Sequence, residues 1–291
     1  MDKRYAVMVV TRNGASTLNP TLSSLLGQAT QPIRVCVVND GSTDGTAEIL
    51  AQYHSQNRNV FCTLNQPDRG YDIRRVPANL NLAVEKLKAM KEECEYYMVS
   101  GDDCVYPTEY AGSIISRMTS TPSVVVASGR PKTDGSISEE HSPSGSGRMI
   151  KSSFWNAIGC RYPLRAGWET WLLYKALESR FRIELYRDLV YEHLRPRGST
   201  HRFTYWGAAM HSLGYHPLYA LGRVAKNLIE QKITLKGSLN MCSGYLQACL
   251  GSSDPFMSAF EQPLRDFVHK QQGREIASAV RSLSVILVKR Q

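Results

Sequence analysis

The apolar residues of this chain fall into short unbroken runs that alternate with stretches of helical spacing. Tyr5 to Val10 reads as a strand, and Thr17 to Leu26 sets Leu18, Leu22, Leu25 and Leu26 along one helical face. A strand from Ile33 to Val38 leads into the helix-like TAEILAQYH. A strand from Val60 to Leu64 leads into a helix from Pro77 to Met90, whose proline suits a first turn. Tyr96 to Ser100 is a further strand, Tyr110, Ile114, Ile115 and Met118 mark a helix, and Val124 to Ala127 is another buried strand. Runs that are apolar throughout belong to strands covered on both faces. The pattern therefore predicts an α/β fold with a mostly parallel central sheet, flanked by helices and wound by right-handed crossovers.

The pattern changes twice further on. Gly129 to Gly147 is rich in Ser, Gly and Pro and predicts a long mobile loop. From about Tyr205, helical periodicity replaces strand-like runs, so a helical C-terminal extension over 205–291 is expected beside a main domain over 1–204. Two of its segments, LGYHPLYALGRVAKNL and VRSLSVILVKR, mix apolar with basic residues. Helices packed on the main domain account for them, and so does an interfacial helix resting on anionic lipid. No stretch of about eighteen apolar residues occurs, so no spanning helix is expected.

Composition narrows the setting. The apolar fraction of 42% is ordinary for a protein with a real core. The N-terminus, MDKRYAVMVV, enters a strand after four residues, too soon for a signal sequence. Seven scattered cysteines without zinc spacing read as reduced thiols, which implies a reducing cytoplasm. Across 291 residues, 35 basic against 26 acidic ones give a formal charge of +9, which favours anionic partners. The basic residues are not grouped with aromatics into a stacking motif, so no nucleic acid partner is expected.

Two acidic signals carry the chemistry: VCVVNDGSTDGT and YYMVSGDDCVYP. Each is an apolar run that stops at carboxylates and turn formers, which delivers acids to the carboxyl edge of a sheet, where open α/β folds bind ligands. Asp102 and Asp103 are neighbours that repel each other, and a hard cation such as Mg²⁺ or Mn²⁺ relieves this while bringing substrate phosphates with it. The plain alternative is an exposed acidic turn. Around Asp40, the glycine-containing turn could serve only as a strand-to-helix connection capped by Thr43 or Asp44. No GxGxxG follows a strand and no GK[ST] occurs, so the familiar phosphate loops are not supported.

Together with TRNG after the first strand, these signals resemble family 2 glycosyltransferases with the GT-A fold. Val9-Val10-Thr11-Arg12-Asn13 corresponds to the family's opening, Asn39 to Thr46 to its DDGSxDxT turn, and Asp102-Asp103 to its DxD-type motif, a likeness covering roughly residues 5 to 200. The resemblance implies a nucleotide-sugar half over about 1–105 and an acceptor half over about 106–204. It implies that Thr11, Asn13 and Asp40 serve the nucleoside, that Asp102 lies at the ribose or sugar, and that Asp103 binds Mn²⁺ or Mg²⁺ with His193 as a further ligand.

Arg75, or its neighbour Arg74, is expected as the cation near the phosphates, although Ala78-Asn79 stands where the family often has an arginine beside an asparagine. Arg195 and Arg197 would favour the diphosphate or an anionic acceptor. The family's acidic pair in GWEDW reads Gly167-Trp168-Glu169-Thr170-Trp171 here, so Glu169 is the expected base and Trp168 a candidate sugar platform. A helix-terminal acid and a buried packing tryptophan are the plain alternatives. If Glu169 is not the base, Asp134, Glu139 or Glu140 is next.

The activity so implied is inverting transfer of a sugar from a nucleoside diphosphate sugar, UDP being the commonest family donor, to a hydroxyl on a glycan or lipid-linked glycan. The basic tail would hold such an enzyme at the inner face of the membrane. Two other readings stay open: a silent nucleotide-sugar binding module, and a sugar nucleotidyltransferase, whose glycine-rich N-terminal loop is missing.

Overall fold

The structure is a computed structural model that describes residues 4–91, 93–133, 135–137, 141–195, 203–230 and 233–288, with side chains to residue 278. Asp134, Glu139, Glu140, Arg197 and the side chains of VRSLSVILVKR lie outside the described residues. Two compact units divide the chain: Met1–Pro163 with Ser179–Arg197, and Leu164–Glu178 with Gly198–Gln291.

The first unit begins with β1 (Tyr5–Thr11), α1 (Leu18–Leu26), β2 (Arg34–Asp40), α2 (Thr46–Gln56) and β3 (Phe61–Gln66). A 3-10 turn at Ile73–Arg75 leads into α3 (Val76–Ala89), followed by β4 (Tyr96–Ser100), the short β5 (Cys104–Val105) and α4 (Tyr110–Ser120). Then come β6 (Val124–Thr133), β7 (Ser136–Ile137), β8 (Arg148–Lys151) and α5 (Ser152–Ala157). After α6 (Trp168–Glu178), which belongs to the second unit, the long β9 (Arg182–His193) completes the sheet.

The strands lie in the order β3, β2, β1, β4, β8, β6, β9, β5, with β7 pairing β6. From β3 to β4 every pairing is parallel. Beyond β4 the sheet is mixed: β8 runs antiparallel to β4 and β6, β9 runs parallel to β6, and β5 runs antiparallel to β9. The mostly parallel sheet expected from the apolar runs is thus half of a mixed one. Val7, Val9, Val35 and Val37 are fully buried on one face against Leu18 and Leu22 of α1 and Ile114 of α4. α3 packs on β1 and β2 through Leu80, Ala83, Val84 and Leu87.

Both ends of the predicted loop from Gly129 to Gly147 are packed, while residues 134 and 138–140 lie outside the described ones. β6 continues through it to Thr133, and the Ser144 amide donates to Ser128 Oγ at 2.8 Å while Arg148 Nε donates to Ser144 O at 2.8 Å. Ser144 and Arg148 are buried, so the small polar residues here serve a packed turn.

The second unit holds α6, α7 (Phe203–Ser212), α8 (Pro217–Ile229), α9 (Leu235–Cys249) and α10 (Gln262–Val288), with a 3-10 turn at Pro255–Met257. α7 and α9 touch backbone to backbone. A Cβ on Gly207 would stand 1.8 Å from Met241 O, and one on Gly244 1.8 Å from Thr204 O, so only glycine fits this crossing. Among the described residues no helix is long and apolar enough to cross a membrane.

Candidate active site

The carboxyl ends of β1, β2 and β4 bring the TRNG turn, the Asp40 turn and the acid pair to one sheet edge. Thr11, the last residue of β1, donates from Oγ1 to Asp102 Oδ2 at 2.6 Å. Gly14 makes that bond possible, because a Cβ there would lie 2.3 Å from Thr11 Oγ1 and 2.7 Å from Asp102 Oδ2. Asn13 sits at a φ of 51° and accepts from the Thr43 amide at 2.8 Å through Oδ1, while its own amide donates to Ser42 Oγ at 2.9 Å. Its side chain thus braces the turn after β2.

Asp102 and Asp103 are both buried, 7% and 8% exposed, which removes the reading of an exposed acidic turn. Burial pushes the Asp102 carboxyl above its usual range, and this outweighs the opposing pull of Arg195 and of the Thr11 hydroxyl. Arg195 donates from Nη1 to Asp102 Oδ1 at 3.0 Å and from Nη2 to Thr17 Oγ1 at 3.0 Å.

The end of β9 is zipped onto the acid turn. His193 pairs with Cys104 across the β5 ladder, and the Leu194 amide donates to Asp103 O at 2.7 Å. His193 Nδ1 lies 2.7 Å from Arg195 O. A carbonyl only accepts, so Nδ1 carries a proton, and Nε2 is the nitrogen turned to Asp103, 3.6 Å from its Oδ1. This is the arrangement in which histidines ligate metals, the far nitrogen fixed by a backbone carbonyl.

Asp103, Cys104 and His193 each offer a donor atom within 4.8 Å of the others. Burial and the Asp103 charge push the Cys104 thiol up to about 12, so it stays protonated and donates to Asp103 Oδ1 at 3.6 Å. With a carboxylate oxygen and an imidazole nitrogen among its donors, the cluster offers ligands that Mn²⁺ or Mg²⁺ accepts.

Beneath this cluster lie buried phenols that the sequence reading did not single out. Tyr106 OH is 2.9 Å from Ser100 Oγ, Tyr110 OH donates to Gly147 O at 2.9 Å, and Tyr191 OH donates to Ser146 O at 2.8 Å. The three rings pack on one another, tilted or edge-on, with centroids 4.9 to 5.7 Å apart, and so tie β9 and the acid turn to the core.

At the end of β2, Arg75 grips Asp40 with both arms: Nε to Oδ1 at 3.1 Å and Nη2 to Oδ2 at 2.9 Å. That bond raises the arginine's affinity for its proton. Arg74 forks onto Asp72. Among the described residues the guanidinium in contact with the acid pair is Arg195, and the expected cation Arg75 stands at the Asp40 end. Arg12, which the opening motif contains without a role of its own, holds the same turn through Gly41 O at 2.7 Å and Asp68 at 2.6 Å.

Glu169 and Trp168 belong to the second unit, on the first turn of α6. Glu169 is exposed. Trp168 packs against the cluster of Ala166, Ala208, Ala248, Phe256 and Met257, as a packing tryptophan would.

A parallel half-sheet with carboxylates at its carboxyl edge, continued by a mixed half and joined to a donor cluster that could hold a metal ion, has the architecture of an α/β protein of GT-A type. The family model "Glycosyl transferase family 2" matches residues 6–181, and the chain belongs to that family. It is 29% identical over 107 residues to the uncharacterized glycosyltransferase YibD of Escherichia coli K12, which covers 37% of this chain and 28% of the length of YibD. Among solved structures, the mannosyltransferase PcManGT from Pyrobaculum calidifontis, in complex with GDP-Man and Mn²⁺, is similar with a TM-score of 0.57 at 16% identity, over 97% of this chain and 88% of that one. S. aureus TarS 1-349 in complex with UDP-GlcNAc is similar with a TM-score of 0.57 at 15% identity, over 84% and 81%. At these identities the structures speak for the fold.

Proposed function

We propose that this protein is a metal-dependent inverting glycosyltransferase that moves a sugar from a nucleoside diphosphate sugar, UDP-linked in the first instance, to a hydroxyl of a glycan or lipid-linked glycan. The observation that carries the reading is the buried cluster of Asp102, Asp103 and His193 with Arg195 at its rim, placed at the sheet edge that family 2 enzymes use. In this reading Asp40, Arg75, Thr11 and Asn13 form the nucleoside end, Asp102 lies at the ribose, and Asp103 and His193 hold the cation. When bound, the ion supplies Lewis-acid stabilisation of the leaving diphosphate. Arg195 turns from Asp102 to the diphosphate as charge develops there. Glu169 takes the proton of the acceptor hydroxyl, and Trp168 serves as a sugar platform. The residues 1–204 then carry donor and acceptor halves, and 205–291 form an extension that works at the cytoplasmic face of a membrane.

A panel of nucleoside diphosphate sugars, each tested for thermal stabilisation with and without Mn²⁺, identifies the donor, because a ligand that binds only the folded state raises apparent stability. Slow Mn²⁺-dependent hydrolysis of that donor is the expected companion result. Saturable binding without turnover would favour the silent binding module, a reading to which Thr170 at the usual acid position lends weight.

A further inference from the structure

The second unit has a surface that its own packing leaves uncovered. Eight large apolar side chains among the described residues are more than half exposed, and seven of them lie on α8 and α9; the eighth is Tyr71. On α9 and its cap they are Leu235, Leu239, Leu246 and Leu250, exposed by 65%, 63%, 59% and 88%. At 100° per residue these four fall within about 60° of arc, a continuous leucine ridge. The opposite side of the helix carries Gly237, Met241, Gly244 and Ala248, the buried face that meets α7.

α8 repeats the arrangement. Ala220 and Val224 are buried, while Leu218, Leu221 and Ile229 face out at 63%, 59% and 80%. A helix apolar on both sides calls for a cover on both sides, and α8 packs beside α9. The charges on the two helices are mostly basic, with Glu275 of α10 beside Tyr219 as an acidic neighbour. Arg223, Lys226 and Lys236 are exposed on the two helices, and Glu230, which lies 3.7 Å from Lys226, is the one acidic residue in the sequence between Phe203 and Leu250.

We propose that the outward faces of α8 and α9 form an interfacial membrane-docking surface, in which the leucine ridges enter the headgroup and acyl boundary of an anionic bilayer while Arg223, Lys226 and Lys236 meet its phosphates. This deepens the membrane contact proposed above by naming the surface, and it rests on no part of the transferase chemistry. A second copy of the chain would oppose basic residue to basic residue across the same ridges. An anionic lipid surface matches both the apolar area and the charge.

The test is flotation of the full chain with vesicles of phosphatidylcholine alone or with a third of phosphatidylglycerol, beside analytical ultracentrifugation without lipid. Expected is recovery of the wild type with the anionic vesicles only. Leu239→Gln and Leu246→Gln each lower the partition coefficient by about tenfold, the loss of one leucine's burial. The triple change Arg223→Glu, Lys226→Glu, Lys236→Glu abolishes flotation. All five positions point to solvent, so unchanged melting temperatures establish that the variants are folded. No flotation of the wild type, flotation unaffected by these changes, or a lipid-free dimer broken by Leu239→Gln overturns the proposal. Mn²⁺-dependent donor hydrolysis, measured on the same preparations without vesicles, reads the transferase proposal separately.

Discussion

Arg195 Nη1 stands 3.0 Å from Asp102 Oδ1 and 3.9 Å from Asp103 Oδ2, so one guanidinium faces both members of the acid pair. Its second arm is held by Thr17 Oγ1. The arginine therefore offsets the repulsion of two buried neighbours and also competes with any cation that approaches them. Arg195→Ala is expected to tighten the binding of Mn²⁺ alone and to weaken the binding of a nucleoside diphosphate by about tenfold or more, the worth of a charge-assisted hydrogen bond. Isothermal titration with Mn²⁺ and then with UDP checks both signs. Equal weakening of both would mean that the residue only holds the acid turn in shape.

The Thr11 to Asp102 bond yields a second expectation through Gly14. A methyl group there would stand 2.3 Å from the threonine oxygen and 2.7 Å from the carboxylate, so one of them must move. Gly14→Ala is expected to cost about 1–3 kcal/mol of folding stability, as overpacking does, and to lose nucleotide binding along with it. Urea unfolding and a binding titration on the same variant measure the two effects. An alanine variant as stable as the parent would show that the turn can open at little cost.

Much of this site is legible in the sequence, for reasons visible in particular residues. Val35 to Val38 and Tyr96 to Ser100 lie in the parallel half of the sheet, covered on both faces, so their apolar runs are unbroken and the carboxylates that follow stand out. β9 is harder to see. Arg182, Glu184, Arg187 and Asp188 interrupt its apolar pattern because much of the strand is only half buried, and a single twelve-residue strand looks like two short runs. The cluster of Tyr106, Tyr110 and Tyr191 is invisible as a motif, since its members are brought together only by α4 and β9. Arg75 stands out in the sequence as a cation, but its partner does not: nothing in YDIRRVPANLNLA says that the 3-10 turn aims the guanidinium at Asp40.

The donor set at the acid turn separates a carboxylate from an imidazole ligand. Asp103→Asn is expected to abolish the Mn²⁺-dependent part of donor binding. His193→Gln should lower Mn²⁺ affinity by about 10–100-fold, the range found when a metal site loses one of its supports. Cys104→Ser should leave Mn²⁺ affinity nearly unchanged, since manganese prefers the oxygen and imidazole donors beside it. Manganese titration followed by electron paramagnetic resonance distinguishes the three. A cysteine variant with the largest loss would reassign the ligand.

Glu169 tests the chemistry in a different way, because it is the carboxylate on the first turn of α6. If it is the base, Glu169→Gln lowers the transfer rate by about 10²–10⁴-fold and leaves donor affinity and melting temperature as they are. Thr170→Asp, which restores the acid found at that position in the family motif, should raise transfer. Unchanged transfer in Glu169→Gln would move the base to another carboxylate.

The ion pair between Arg117 and Asp188 ties α4 to β9 far from any chemistry and makes a prediction about stability alone. Arg117 donates through both arms, at 2.8 and 2.5 Å, and its guanidinium also lies 4.9 Å from the centre of the Tyr186 ring. The bond to Arg117 lowers the Asp188 carboxyl to about 2. A carboxylate with a depressed value stabilises the fold above its unfolded value near about 3.9 and loses that contribution as pH falls through the folded one. Both side chains are well exposed, 40% and 62%, so solvent screening limits the effect. Asp188→Asn is expected to cost roughly 0.5 kcal/mol at pH 7, less at high salt. The gap to the wild type should close as pH drops from about 4 towards 2. Urea midpoints for both proteins at pH 7 and pH 3.5, with and without 1 M NaCl as about the strongest practical screening, check the sign, and a gap that widens in acid would contradict it.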